Sequence, residues 1–262
     1  MEFPLAETIT KDDVFLCQEK LLDMAVSIVD IFDQNNIKYI IFFGSLLGAV
    51  RHQGFIPWDD DFDLVVFDED YMRALKCLER ELPARYKLHS RKTDPYYFHS
   101  WNRVRDTRIK VEFENHYHSH NALVDFSNLG VDVHCFKKLK LGEVNAYLKF
   151  EKQQFLLRKF EMGIISRGDF EQGFETTSEQ NFVPPEDIGN KKNETVFANV
   201  VGLNAPIKFD DVFPLIDFEF VDQTFKGPGG FDNILKSIYG DYNSLPKYQD
   251  RKPSLKSIEF LK

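Results

Sequence analysis

Phe42-Phe43-Gly44-Ser45-Leu46-Leu47-Gly48-Ala49-Val50-Arg51-His52, followed closely by Pro57-Trp58-Asp59-Asp60-Asp61-Phe62-Asp63-Leu64, decides how the chain is read. Ile37 to Phe43 is a β-branched and aromatic run that predicts a short buried strand. Gly44-Ser45 then opens a helical turn reaching about His52, Gly54 and Pro57 break it, and Phe62 to Phe67 predicts a second strand. Asp61 and Asp63 fall at i and i+2 on that strand, so their carboxylates share one face roughly 6 to 7 Å apart. A single divalent ion can bridge that gap, and oxygen ligation of this kind suits Mg²⁺ or Mn²⁺ together with phosphate oxygens. Gly44 and Ser45, between a strand and a helix start, offer backbone N–H groups and a hydroxyl to an anion. The competing reading of Asp59 to Asp63 is a solvated acidic turn. Against it stands Asp63, set between Phe62 and Leu64-Val65-Val66, where a carboxylate is costly without a cation or hydrogen bonds.

Outward from this core, Val14, Leu21, Leu22, Ala25, Ile28, Val29 and Phe32 recur at helical spacing over residues 11 to 34, with Thr10 as N-cap. Asp68-Glu69-Asp70 begins a second helix that Pro83 stops, acidic residues being favoured at the positive end of a helix. Strand patterns follow near 85 to 89, 97 to 104, 109 to 114 and 130 to 136, then a helix over 143 to 162 and another near 230 to 239 ending at Gly240. Alternation of this kind predicts an α/β (α+β) fold with a mixed sheet and packed helices. The chain is expected to form one domain over 1 to 262, with an irregular insert at about 166 to 200 that carries no chemistry.

Composition narrows the function. With 42 acidic against 33 basic residues and a net charge of -9, the chain is not expected to carry a general duplex-binding surface, which needs clustered cations, whereas a local basic pocket stays open. Cys17, Cys77 and Cys135 are odd in number, widely spaced and without a CxxC pair, which fits a reducing compartment and excludes a disulfide framework. No apolar run approaches the ~20 residues a membrane span needs, and residues 1 to 30 lack a signal-peptide pattern. The expectation is a cytoplasmic protein whose membrane contact, if any, is peripheral at the inner face. The lack of GxxxxGK[ST] argues against a P-loop kinase.

The block GSLLGAVRHQGFIPWDDDFDL closely resembles the signature of the LicD family, the bacterial phosphocholine transferases related to fukutin and fukutin-related protein within the nucleotidyltransferase superfamily. Asn102-Arg103-Val104-Arg105-Asp106-Thr107 is similar to the family's basic segment, and Gly130-Val131-Asp132-Val133 to its strand carrying a third Asp. Val212-Phe213-Pro214-Leu215 and Tyr239-Gly240-Asp241-Tyr242 resemble its closing motifs, so the likeness runs from about 11 to 250. Two departures stand out. His134-Cys135-Phe136-Lys137 follows Asp132-Val133 where the family usually has Phe-Pro-Leu-Asp, and Phe43-Gly44-Ser45 replaces a common Gly-Gly-Thr.

The resemblance implies a nucleotidyltransferase-fold core in which Asp61 and Asp63 bind one or two Mg²⁺ ions at the diphosphate of an activated donor. Asp132 would complete the cluster or act as general base, and Asp59 is either a further ligand or a turn cap. Gly44, Ser45, Arg51, His52, Arg103 and Arg105 are the candidate donor-phosphate contacts, with Arg51 pairing the acids and Arg103 and Arg105 forming a surface pair as the plain alternatives. His116, His118 and His120 alternate in a polar tract read as an acceptor-side loop rather than a zinc site. The implied reaction is phosphocholine transfer from CDP-choline to a hydroxyl of a cell-surface glycan or its lipid-linked precursor, releasing CMP, as in lipopolysaccharide, capsule or teichoic acid assembly. CDP-glycerol or CDP-ribitol donors, NMP transfer from an NTP, and a non-catalytic glycan- or nucleotide-binding relative are the competing readings.

Overall fold

A computed structural model of the chain describes residues 1–97, 99–113, 128–199 and 205–261. The first helix, α1 (Lys11–Gln34), starts at Thr10, whose hydroxyl accepts from the Asp13 N–H while the Asp13 carboxylate accepts from the Thr10 backbone N–H. Its apolar stripe, including Val14, Leu21, Ala25, Ile28 and Phe32, is buried, each such side chain larger than alanine stabilising the fold by about 1.5–3 kcal/mol. Strand β1 (Tyr39–Ile41), helix α2 (Phe43–His52), strand β2 (Asp63–Phe67) and helix α3 (Asp68–Glu81) follow. Next come β3 (Tyr86–His89), β4 (Asn102–Phe113), β5 (Asn128–Lys140) and α4 (Val144–Glu161).

Strands pair in the order β1-β2-β5-β4, and β10 (Leu255–Phe260) closes the far edge against β4. β3 flanks the first half of β4. The β2–β5 pair is parallel and its neighbours are antiparallel, which makes the sheet mixed as the α+β reading requires. The strand expected at 97 to 104 begins only at Asn102, and it runs on into the segment expected at 109 to 114 as one strand, β4, because an irregularity between Arg105 and Lys110 shifts the ladder without ending it.

Residues 166–200, expected to be irregular, instead carry α5 (Arg167–Glu179), α6 (Pro185–Ile188) and β6 (Thr195–Ala198). A capping box between Ser166 and Asp169 starts α5. Only Thr177 of that helix is buried, so the sequence lacks the apolar periodicity by which helices are recognised. β6 extends the sheet from the last residues of β5 and pairs β7 (Ile207–Lys208), which leads into α7 (Phe209–Val212). A hairpin, β8 (Leu215–Phe220) and β9 (Gln223–Pro228), then packs Phe220 and Phe225 around Phe62, with ring centroids 5.3 Å from it in both cases. α8 (Phe231–Tyr239) ends at Gly240, as expected. Phe62 is fully buried at the centre of this cluster, so the residue between Asp61 and Asp63 is a core anchor. Among the described residues no helix is long and apolar enough to cross a membrane.

Candidate active site

Strand register builds the site. Asp63, first residue of β2, lies beside Asp132 of β5; Asp132 faces Arg103 of β4; and Arg103 faces His89 of β3. Cross-strand partners project to the same side of a sheet, so four polar side chains form a row across four strands. His134 stands two residues beyond Asp132 on that face, with its Nε2 3.0 Å from Asp63 Oδ1. Ligand atoms of Asp63, Asp132 and His134 lie within 4.8 Å of one another.

Several contacts hold the floor of the site. Ser45, 3% exposed, accepts the Asp63 N–H on its Oγ at 2.9 Å, so its hydroxyl pins the start of β2. Gly44 lets the acidic loop approach, since a Cβ there would lie 2.7 Å from Asp59 Oδ2. Phe43 adopts φ +47°, a left-handed conformation that costs a non-glycine residue roughly 1–2 kcal/mol. Its ring packs edge-on against Phe42 and His134. Glycine at this position in the related signature is therefore the unstrained choice. Gln18 of α1 supports the loop from below, its Nε2 donating to the carbonyls of Ile56 and Asp59 at 3.1 and 2.8 Å.

Electrostatics set the demand. Burial, reinforced by Asp132, holds the Asp63 carboxyl well above the usual range, with Arg103 pulling the other way. Crowding by protein and the charges of Asp63, Asp60 and Asp132 raise Asp61, although its residue opens to solvent; burial and the charges of Asp61, Asp60 and Asp63 raise Asp59. Burial lowers His134 to about 4, so its imidazole is neutral at physiological pH. Asp132 Oδ1 is shut off from solvent without a hydrogen-bond partner and lies 3.5 Å from Arg103 Nη1. A buried carboxylate oxygen with no donor, beside a raised carboxylate and a neutral imidazole, fits a divalent cation. These residues could hold one through Asp63 and Asp132, with His134 either a ligand or the group that orients Asp63.

The candidate residues separate in the structure. Asp63, Asp132, Ser45 and Arg103 come together. Asp61 precedes β2 rather than lying on it, and stands outside the close triad while within electrostatic reach of Asp63 and Asp132. Arg103 is 4% exposed and directs Nη2 to the Gly130 carbonyl at 3.1 Å, which makes it the counter-charge of the acids. Arg105 follows one pair further along the same face. Arg51 Nε donates to His52 Nε2 and its Nη1 to the Tyr242 carbonyl, both at 2.9 Å, so this pair joins α2 to the C-terminal segment. His116, His118 and His120 lie outside the described residues.

Three contributors escaped the sequence reading. His134 was legible by the same i, i+2 argument that paired Asp61 with Asp63, applied from Asp132. Asp60 takes Ser254 Oγ at 2.9 Å and the Leu255 N–H at 2.6 Å, tying the acidic loop to the entry of β10. Tyr239 feels the charges of Asp63, Asp59 and Asp61, which add to burial in raising its phenol, and it stays 40% exposed.

The site is a mixed sheet with paired carboxylates on adjacent strands and a short helix opening beside them. Residues 36–155 match the family described as LicD/FKTN/FKRP, nucleotidyltransferase domain, which marks that part of the chain as a LicD-type domain. It is similar to the lipopolysaccharide cholinephosphotransferase LicD of Haemophilus influenzae, 22% identical over 88% of this chain and 92% of that protein. An uncharacterized protein of Rickettsia typhi is 29% identical over 50% of this chain, which spans 42% of that relative's length. The human ribitol 5-phosphate transferase FKRP is 41% identical over 21% of this chain and 11% of its own.

Proposed function

We propose that the chain is a metal-dependent phosphotransferase that moves a phospho-alcohol group from a CDP-activated donor to a hydroxyl of a cell-surface glycan or its lipid-linked precursor. The observation that carries this reading is the Asp63–Asp132–His134 triad beside Asp61, a cluster of acids with too few cations of its own. A bound Mg²⁺ or Mn²⁺ would neutralise the donor diphosphate and the leaving phosphate. The neutral imidazole among the oxygens favours Mn²⁺ more than an all-oxygen set would.

The residues themselves then do the following. Asp63 and Asp132, with Asp61 and Asp59 nearby, would hold the cation that offsets the charge of the donor diphosphate. Asp132 accepts the proton of the attacking hydroxyl. The acceptor oxygen forms a bond to the alcohol-bearing phosphorus, the bond from that phosphorus to the bridging oxygen breaks, and CMP departs. Most of the acceleration comes from alignment and charge neutralisation. Arg103 offsets part of the repulsion within the acidic cluster. Likeness over nearly the whole chain to the cholinephosphotransferase supports CDP-choline as donor, and the shorter match to FKRP supports CDP-ribitol as the rival.

Thermal shift with CDP-choline, CDP-glycerol, CDP-ribitol, CTP and ATP, each with and without Mn²⁺ or Mg²⁺, tests this on wild type and Asp63→Asn, because selective binding raises stability. The expected result is a metal-dependent shift with one CDP-alcohol, lost in the variant, and CMP as product. A response only to CTP or ATP, with pyrophosphate released, would replace the reading with nucleotidyl transfer.

A further inference from the structure

Beyond the acidic row lies a second group of charges that the transfer reading does not use. Arg158, in the last turn of α4, has Nε and Nη2 shut off from solvent with no hydrogen-bond partner. Arg91, in the loop after β3, is exposed and directs one N–H to the His99 carbonyl at 3.1 Å. The guanidiniums repel: burial first, and Arg91 second, push Arg158 down to about 10. Glu151 attracts both, yet neither is paired with a carboxylate among the described residues. Guanidinium donors shut off from solvent and left unmet are unfavourable unless an acceptor reaches them.

The two unmet donors are informative in themselves. Nε–H and Nη2–H form one edge of the guanidinium and point in parallel, the spacing that matches two oxygens of a phosphate. The place matters too. His99 packs on Trp101 with ring centroids 4.1 Å apart, and Trp101 stacks on His134 at 5.5 Å, so the loop whose carbonyl Arg91 binds reaches the triad through two rings. Phe155, Met162 and Ile164 pack against Tyr97, fixing the end of α4 against the same loop.

We propose that Arg91 and Arg158 form a second oxyanion subsite, which binds a phosphate group separate from the one transferred and does so without a metal. Such a phosphate is carried by the acceptor, as a sugar phosphate or lipid-linked phosphate, or is free in solution. Anion binding here stands apart from the transfer reading; assignment to the acceptor rests on it.

The test is arginine Nε–Hε NMR and calorimetry on the full chain in EDTA, titrated at constant ionic strength with inorganic phosphate, a sugar 1-phosphate and chloride. The Arg158 resonance, identified by its loss in Arg158→Lys, is expected to move with phosphate and not with chloride. Arg158→Gln and Arg91→Gln should each weaken binding by about tenfold or more, while Asp61→Asn leaves it unchanged. Tighter binding of the sugar phosphate places the acceptor there, and equal binding indicates a small free anion. A silent Arg158 signal, a response matched by chloride, or wild-type affinity in both Gln variants overturns the subsite. Where Arg158→Gln misfolds, Arg158→Lys decides, since it keeps the charge and removes the parallel donors; full affinity there overturns the bidentate assignment. Loss of the subsite would leave metal-dependent donor binding untouched, so the two readings fail separately.

Discussion

Replacing Gly130 by Ala probes how the acidic row is held. A Cβ at Gly130 would fall 2.5 Å from Arg103 Nε, 2.9 Å from Arg103 Cγ and 2.7 Å from the Val104 carbonyl oxygen. The Val104 oxygen belongs to the β4–β5 ladder and cannot retreat cheaply, while the Arg103 side chain lies flat across Gly130 and must lift. Overpacking of this kind costs about 1–3 kcal/mol. Lifting the guanidinium also loses the Gly130 carbonyl bond and separates Arg103 from Asp132, and breaking a buried charge pair costs up to about 3–5 kcal/mol. Because Arg103 can shift without losing the pair outright, a net loss of about 2–4 kcal/mol is expected, a fall in Tm of roughly 4–7 °C at this chain length.

The assay is thermal unfolding in EDTA and again with saturating Mn²⁺. Arg103 is the group that opposes the raised Asp60, Asp61 and Asp63, so its displacement should enlarge the stabilisation that Mn²⁺ gives the variant over wild type. Adding Arg103→Met should make the Gly130→Ala cost smaller than on the wild-type background, because the two share one interaction. A Tm within about 1 °C of wild type, or strict additivity with Arg103→Met, would refute the claim that Gly130 exists to seat Arg103.

Asp63→Asn and Asp132→Asn should each abolish turnover and the metal-dependent thermal shift while circular dichroism stays unchanged; retained activity in either would remove it from the metal set. Divalent-metal affinity should rise with pH and binding should release protons, because Asp59, Asp61 and Asp63 hold protons above the usual carboxylate range; calorimetry in buffers of different ionisation enthalpy measures this. Ser254→Ala removes a hydroxyl donor from buried Asp60 and should cost about 1–3 kcal/mol, read as a lower urea midpoint. His134 titrates near 4 in the fold against 6.5 when unfolded, so the unfolded chain binds the extra proton; its contribution to stability is intact above pH 6.5 and falls by on the order of 3 kcal/mol as pH drops toward 4. The His134 Cε1–H shift in EDTA should stay constant from pH 5 to 8.

Much of the fold was legible because its signals are local. Thr10 with Asp13, the apolar stripe of α1, the acidic start of α3 and Gly240 after α8 are each set by neighbours in sequence. What the sequence hid depends on distant partners. β8 and β9 are recognisable as strands only once Phe220 and Phe225 have Phe62 to pack against, and β10 once Asp60 captures the Ser254–Leu255 turn. The site divides in the same way. Asp63 was marked by its own apolar flanks, whereas the alignment of Asp63, Asp132, Arg103 and His89 is a property of register, which pairs residues from four separate strands.

The balance of charge across that row links the two sites. Asp59, Asp61, Asp63 and Asp132 face one guanidinium, Arg103, and a neutral imidazole, His134; Asp60 is already served by Ser254 and Leu255. A nucleotide diphosphate approaching this cluster alone meets net repulsion, so donor and divalent cation must bind together, and donor affinity measured in EDTA should vanish rather than merely weaken. The reverse holds at Arg91 and Arg158, where positive charge is already in excess and a phosphate needs no metal. An enzyme that brings two phosphate-bearing substrates together can distinguish them in this way, the transferred group recognised through a cation it brings with it and the acceptor through fixed arginines. Chelation should therefore eliminate donor binding and spare binding of a phosphorylated acceptor, and loss of both together would show that the arginines are not an independent site.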